Sequence, residues 1–327
     1  MRLASFTADG HDRLGLAAGS RLIDLNAAAR QLGLTVPDGM AGFINGGAEA
    51  LDLARCVAEA HASDPGAFPS FAQDTVAWLP PVPNPSKICC LALNNSANSD
   101  RVMRGPDHPA TFVKPASALI GHGAAIECAP HYGRVHPEPE LAVVIGRKAK
   151  NVSADDAFDY VFGYTIHNDI TSPTMREEDT FHYRAIHPKP GDPGGIEYRD
   201  SWVSYPGRYK ASDTFSPMGP WIVTKDEIPD PHRLRIACYH NNRMITEDNT
   251  ENLRFKTPEV IAFISSYMTL VPGDIISLGT ALKASGAEGG GAVQNIDLNR
   301  LGGLVSVEIE QIGALTSTVA WVTSDKR

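Results

Sequence analysis

Nothing in the 327-residue sequence approaches the ~20 consecutive apolar residues that a bilayer-spanning helix requires. The opening stretch, MRLASFTADGHDRLGLAAG, alternates like a strand and lacks the long apolar region of a secretory leader. Basic excess is missing as well. Lysine and arginine number 29 against 38 acidic residues, a formal net charge of -9, and no Lys/Arg run interrupts that balance. A nucleic-acid or anionic-membrane surface is therefore not expected. Cysteine is scarce and unpatterned: Cys56, Cys89, Cys90, Cys128 and Cys238 form an odd set without CxxC spacing. That fits neither a disulfide framework nor a zinc knuckle. Cys89 and Cys90 lie inside the apolar run KICCLALN and read as buried strand residues. The cytoplasm is the expected compartment.

What is present is ordinary for a globular chain, 43% hydrophobic and 20% charged, and the length allows a large core. Residues 1–78 read as a small α/β unit. Its strands are LASFT, RLGLAA and RLIDL, and its helices are LNAAARQLG and GAEALDLARCVAEAHA. Four prolines between 80 and 85 then predict a stiff linker over 79–86. From 87 to 327 the pattern is rich in strands, with two predicted helices. One is SADDAFDYVFGY, capped by Ser153; the other is TPEVIAFISSYMTL, capped by Thr257 with Pro258 at its first position. The class expected is α+β and β-rich. A Gly/Pro/charge-rich insertion at about 172–209 shows no clean periodicity and predicts a long functional or mobile loop.

The stretch HPEPELAVVIGR puts Glu138 and Glu140 at the front of an oily run, Leu141 to Ile145. Alternate strand residues share a face, so the two carboxylates stand side by side and need a cation or a proton. A strand, a short helix and a returning strand would bring Asp169 of YTIHNDI beside them. Three such oxygens suit a hard cation, Mg²⁺ first and Mn²⁺ or Ca²⁺ next. Zinc is disfavoured by the lack of a close His/Cys set, although His136 and His167 are nearby in sequence. On spacing alone, a solvated strand end at Glu138 and Glu140 and a turn at Asp169 remain an equal alternative.

The segment EPELAVVIGRKAKNVSADDAFDYVFGYTIHNDIT closely resembles the fumarylacetoacetate hydrolase superfamily, whose motif runs E-x-E-L-x-V-V-I-G, then G-Y-T-x-x-N-D. FVKPASALIG, KASDTFSPMGPWIV, the stretch ending in GT at 280 and LGGLVSVEIEQIGALTSTV resemble its further landmarks, in order and over nearly the whole chain. The resemblance implies a mixed β-sandwich or roll behind the small N-terminal domain, and a homodimer. It implies metal ligation by Glu138, Glu140 and Asp169, an active-site lysine at Lys210, and substrate contacts from Thr280, Lys114 and the residue at position 98. The substrate class implied is a small 1,3-dicarbonyl or 2-oxo carboxylic acid of aromatic or sugar-acid catabolism. It would react through a metal-bound enolate, with hydrolysis of an acylpyruvate-like C–C bond first by family weight.

Three departures bear on that reading. The family's His–Glu pair, which activates water, is replaced by Asn98 and Arg101 in LALNNSANSDR. Asn cannot accept a proton at neutral pH, so the usual base is absent. Pro173 stands where an Arg usually follows the metal Asp, and Thr246 where relatives often have Gln. Either the 172–209 insertion supplies another base, with His182 and His187 the candidates, or the reaction needs no activated water. Isomerisation, tautomerisation, decarboxylation or lyase chemistry would be of that kind. A catalytically silent binding protein is the remaining alternative.

Overall fold

The computed structural model describes residues 1–95, 102, 105–280 and 293–323. Its largest sheet has twelve strands. From edge to edge run Ser70–Ala72, Arg21–Asp24, His11–Ala18, Arg2–Ala8, Ser216–Thr224, Val161–Asn168, Pro139–Ile145, Ile275–Ser277, Ile88–Ala92 and Ala110–Lys114. Ala77–Trp78 and Leu119–Ile120 pair along its margin. A five-stranded sheet stacks Arg243–Asn249, Arg235–His240, Leu304–Ile309, Gly313–Trp321 and Ala125–Cys128. A two-stranded hairpin, Thr180–Pro188 with Ile196–Ser204, forms a third sheet by itself.

The oily run 141–145 is buried on both faces, which is why it reads as continuous rather than alternating. Leu141, Val143 and Ile145 pack in one cluster with Ile236 and Val307 of the five-stranded sheet. Ala142 and Val144 pack in another with Phe43 and Ile44 of the Gly39–Asn45 helix and Ile222. The strand that ends at the carboxylates is thus held from both sides.

The first strand, Arg2–Ala8, pairs with Ser216–Thr224 (Leu3 opposite Ile222), so the N-terminal strands extend the main sheet. The proline stretch packs against them. Ser5 donates to the Pro81 carbonyl at 2.8 Å, and Val82 is buried in the core shared by both parts.

Three local expectations are corrected. Of SADDAFDYVFGY, only Ala157–Tyr160 forms a single 3₁₀ turn, and Val161–Asn168 is a strand. Ser153 does bond the Asp156 N–H, at 3.2 Å, but the β-branched and aromatic run from Val161 favours the pleated surface. The later helix spans Thr257–Tyr267 and is capped by Lys256, not Thr257. Glu259 accepts the Lys256 N–H at 2.8 Å, while the Thr257 N–H is taken by His232 Nε2 at 3.0 Å. The 172–209 segment is not a loop: it holds the helix Pro173–Glu178, the hairpin, and a turn of helix at Arg208–Ala211. Its ladder satisfies its own backbone, so no buried face has to imprint a period on the sequence.

Candidate functional site

The chain returns beside Glu138 as the strand–return–strand reading requires. In the antiparallel pairing, Pro139 faces Asn168 and Glu140 faces His167. Past the ladder, the Asp169 N–H donates to the Glu138 carbonyl at 2.9 Å, and the Asn168 side chain accepts the Glu138 N–H at 2.9 Å. One carboxylate oxygen from each of Glu138, Glu140 and Asp169 then lies within 4.8 Å of the others. Glu140 and Asp169 are buried and Glu138 is half-buried.

Two ammonium groups meet this cluster. Lys210, on Arg208–Ala211, donates to Asp169 at 2.5 Å and to Glu138 at 2.7 Å, with its Nζ 5.2 Å from the centre of the Phe112 ring. Lys114, at the end of Ala110–Lys114, donates to the other Asp169 oxygen at 2.5 Å and to the Phe215 carbonyl at 2.6 Å. Its side chain is 0% exposed, so it neutralises Asp169 from behind. Three carboxylates against two ammoniums leave a formal charge of -3 + 2 = -1.

The titration of these groups follows from that arrangement. Burial pushes Glu140 up, and the charges of Asp169 and Glu138 add to it, so it titrates near about 8 although Lys210 and Ser277 pull it down. Burial alone would also raise Asp169, but Lys114 and Lys210 hold it well below the usual carboxylate range. Lys210 is raised above its ordinary value because the carboxylates outweigh its own desolvation. Burial pushes the Cys90 thiol far up, with Asp169 and Glu140 adding to the effect, so it stays protonated next to the cluster rather than offering a thiolate.

Glu140 is fixed by residues that spacing alone did not single out. Ser277 Oγ donates to its Oε2 at 2.5 Å and the Gly279 N–H at 3.1 Å. Gly279 is at φ +98°, and a Cβ there would lie 2.9 Å from the Asn94 Cβ, so the approach requires glycine. The Thr280 hydroxyl bonds Glu140 at 3.0 Å and Glu138 at 3.2 Å. Behind Ser277, the fully buried His167 bonds Ser277 Oγ through Nδ1 and Ser216 Oγ through Nε2, both at 2.7 Å. Burial lowers this imidazole to about 3, so it is neutral. Once Glu140 is ionised, as a cation would require, the Ser277 proton points at the carboxylate, which leaves His167 to donate from Nδ1 and accept from Ser216. The only signal in the sequence was a histidine at the end of the largely apolar run VFGYTI, which once buried needs a partner for each ring nitrogen.

The remaining expected residues fall elsewhere. His182 is exposed on the hairpin with its ring against Trp202, and half-buried His187 opposes Glu197. Among the described residues, neither ring bonds the carboxylates or Lys210. Asn98 and Arg101 lie outside the described residues. His136 is buried beside Glu138, 3.8 Å from its carboxylate, and burial lowers its pKa.

An all-oxygen, anionic cluster with no thiolate fits a hard divalent cation. Among the described residues, no helix is long and apolar enough to cross a membrane.

Residues 87–320 match the family model for the fumarylacetoacetate (FAA) hydrolase C-terminal domain. The chain is 33% identical over 285 residues to the rat oxaloacetate tautomerase Fahd2a, mitochondrial, covering 86% of this chain and 80% of that one. It is 31% identical to the human oxaloacetate tautomerase FAHD2A, mitochondrial, over 98% of this chain and 91% of that one. Among solved structures, it resembles maleylpyruvate hydrolase from Sphingobium sp. SYK-6 in complex with manganese(II) and pyruvate. The identity is 30%, the TM-score 0.70, and 98% of this chain and 99% of that one are covered. A 5-carboxymethyl-2-hydroxymuconate delta-isomerase from Mycobacterium smegmatis is 26% identical with a TM-score of 0.66, covering 98% and 99%. The fold, the motifs and these relatives agree: the chain belongs to the fumarylacetoacetate hydrolase family and is an enzyme of that family.

Proposed function

We propose that this enzyme interconverts the keto and enol forms of a small 2-oxo carboxylic acid, with a divalent cation held by Glu138, Glu140 and Asp169. Mg²⁺ is the first choice and Mn²⁺ the next. The 30% identical maleylpyruvate hydrolase, which holds manganese(II) and pyruvate, supports the ion and ligand class. The cation would supply Lewis acidity to a chelated 2-oxo acid, lowering the cost of charge on the enolate oxygen. The proton that leaves or returns to carbon would pass to or from solvent, and the chain's own residues would stabilise the charge it leaves. Lys210 stays protonated beside Glu138 and Asp169 and offers a second positive charge to that oxygen. Lys114 and Lys210 keep Asp169 ionised as a ligand. Thr280, at the edge of the cluster, has a hydroxyl that can turn to a substrate carboxylate, and Asn98 offers an amide.

The observation that carries the reading is the pairing of an intact acidic cluster and lysine with Asn98 where the family's water-activating histidine belongs. Enolisation needs no activated water; hydrolysis does. The similarity to oxaloacetate tautomerases favours the same choice. Hydrolysis of an acylpyruvate-like C–C bond is the second reading, favoured by the maleylpyruvate hydrolase structures at 30–31% identity. A cytoplasmic location belongs to the same proposal, supported by five free cysteines.

The test is ultraviolet loss of the enol band of oxaloacetate and of an acylpyruvate, with Mg²⁺ or Mn²⁺. Faster equilibration without cleavage products bears the proposal out. Stoichiometric pyruvate from the acylpyruvate would replace it with hydrolysis, and no change with either would leave a binding protein.

A further inference from the structure

Most donors around the carboxylates are already engaged. Ser277 and Thr280 bond Glu140, Thr280 also bonds Glu138, and Lys114 and Lys210 bond Asp169. Tyr209, the residue before Lys210, is different. Its ring packs in the core cluster that holds Ile170, Met175 and Phe215, and the residue is 7% exposed. Buried polar groups nearly always have a hydrogen-bond partner, yet among the described residues the Tyr209 hydroxyl has none. Nor is it one of the sealed atoms that lack a partner, which are His61 Nδ1, Thr165 Oγ1 and Ser317 Oγ. The tip of the phenol is therefore open. The charges that reach it are those of Arg176, Lys210, Asp169 and Glu138, so it opens beside the carboxylate cluster.

We propose that Tyr209 is the last carrier on the proton's path between solvent and the C3 carbon of a bound 2-oxo acid. The inference rests on the keto–enol reading and supplies the donor that reading lacks. In ketonisation, the C2=C3 electron pair of the enolate takes the phenolic proton. The C3–H bond forms, the phenolic O–H bond breaks, and the C2–O bond becomes a carbonyl. The phenolate recovers a proton from water to replace the one the enol hydroxyl gave up, so nothing is oxidised or reduced.

The surroundings suit this role. Burial raises the phenol, so it is protonated at neutral pH, while the positive charges of Arg176 and Lys210 favour the transient phenolate. Lys210 is a poorer donor because it is bonded to two carboxylates and holds its proton more tightly than usual. Cys90 also keeps its proton near the cluster but is 0% exposed, with no path to a ligand. The one-turn helix that carries Tyr209 is fixed at both sides. The Ser172 N–H donates to the Tyr209 carbonyl at 3.1 Å, and Arg208 bonds Glu178 and Asp179. A fixed carrier meets the enolate from one side, so it serves one of the two C3 hydrogens.

The test uses the full chain with Mg²⁺ and oxaloacetate in D₂O, sampled before the enzyme-free blank has exchanged. The acid is trapped as malate with malate dehydrogenase and NADH, and its deuterium is counted by mass spectrometry. Wild-type exchange should reach a plateau at one deuterium at C3. Tyr209→Phe keeps the ring and its packing; its exchange should be ~100-fold slower or more, and the residue of exchange should run on to two deuteriums. Its Mn²⁺ and oxalate affinities, read by calorimetry, should stay within about threefold of the parent. Exchange in the variant within about threefold of wild type overturns the carrier and leaves the keto–enol reading standing. Slower exchange that comes with lost Mn²⁺ or oxalate binding makes Tyr209 a structural residue and equally overturns it. No wild-type exchange above the blank overturns both readings. Where the variant does not fold, the wild type decides alone: a rise to two deuteriums without a plateau refutes Tyr209.

Discussion

Binding of a divalent cation should expel a proton, and the donor of that proton should be Glu140. The carboxyl titrates near about 8 because it is buried and faces Asp169 and Glu138. At pH 7 such a group is largely protonated, and a cation that requires the carboxylate must displace that proton, releasing up to about one H⁺ per ion bound. Glu140 should be the main donor. Asp169 is already ionised, Lys210 holds its proton more tightly than usual, and His167 is neutral. The sign follows: protons compete with the ion, so affinity rises with pH and levels off above about 8. Between pH 6 and pH 8 the gain should be on the order of tenfold or more. Calorimetric titration with Mn²⁺ in two buffers of different ionisation enthalpy reads the proton count directly. Glu140→Gln should bind more weakly and release almost none. A wild-type release near zero at pH 7, with affinity flat from pH 6 to pH 8, would refute the electrostatic account of the cluster.

Other consequences can be checked separately. Ser277→Ala removes a hydroxyl that both orients Glu140 and lowers its pKa, so Mn²⁺ affinity should fall ~10–100-fold with the fold retained; calorimetry at pH 7 measures it, and an unchanged affinity would deny the hydroxyl that role. Lys114→Met leaves the buried Asp169 with one ammonium instead of two, and should cost about 3–5 kcal/mol in a denaturant titration of the metal-free protein. Replacing His182 or His187 singly by Ala should leave kcat within about twofold, because both rings stand on the projecting hairpin; a loss of ~100-fold or more would place the missing base there.

What could be read from the sequence was what local spacing encodes. Glu138 and Glu140 were legible as a same-face pair because the strand period is two, and Asp169 because the next strand had to return antiparallel. Lys210 and Thr280 were legible only through resemblance, since 41 residues separate Lys210 from Asp169 and 142 separate Thr280 from Glu138. The Ser277–His167–Ser216 chain was invisible for the same reason: it joins three strands, and 110 residues lie between its first two members. The hairpin failed differently. Apolar and polar side chains alternate on both of its faces because neither is buried in the single chain, so FHYRAIH carries no period. The helix expected from Ser153 failed because a good cap does not extend a helix into a β-branched run already paired on both sides, with Pro139–Ile145 and Ser216–Thr224.

The central claim, that these carboxylates and Lys210 serve enolate chemistry on a 2-oxo acid, is tested most directly by solvent exchange at carbon. Oxaloacetate and pyruvate in D₂O with Mg²⁺ should lose their C3 hydrogen signals in proton NMR at least ~100-fold faster with the enzyme than with Mg²⁺ and buffer alone. That excess should vanish with EDTA and in Glu140→Gln, and should fall steeply in Lys210→Met. Exchange at the blank rate for both acids, in a protein that calorimetry shows to have bound Mg²⁺, would contradict the account.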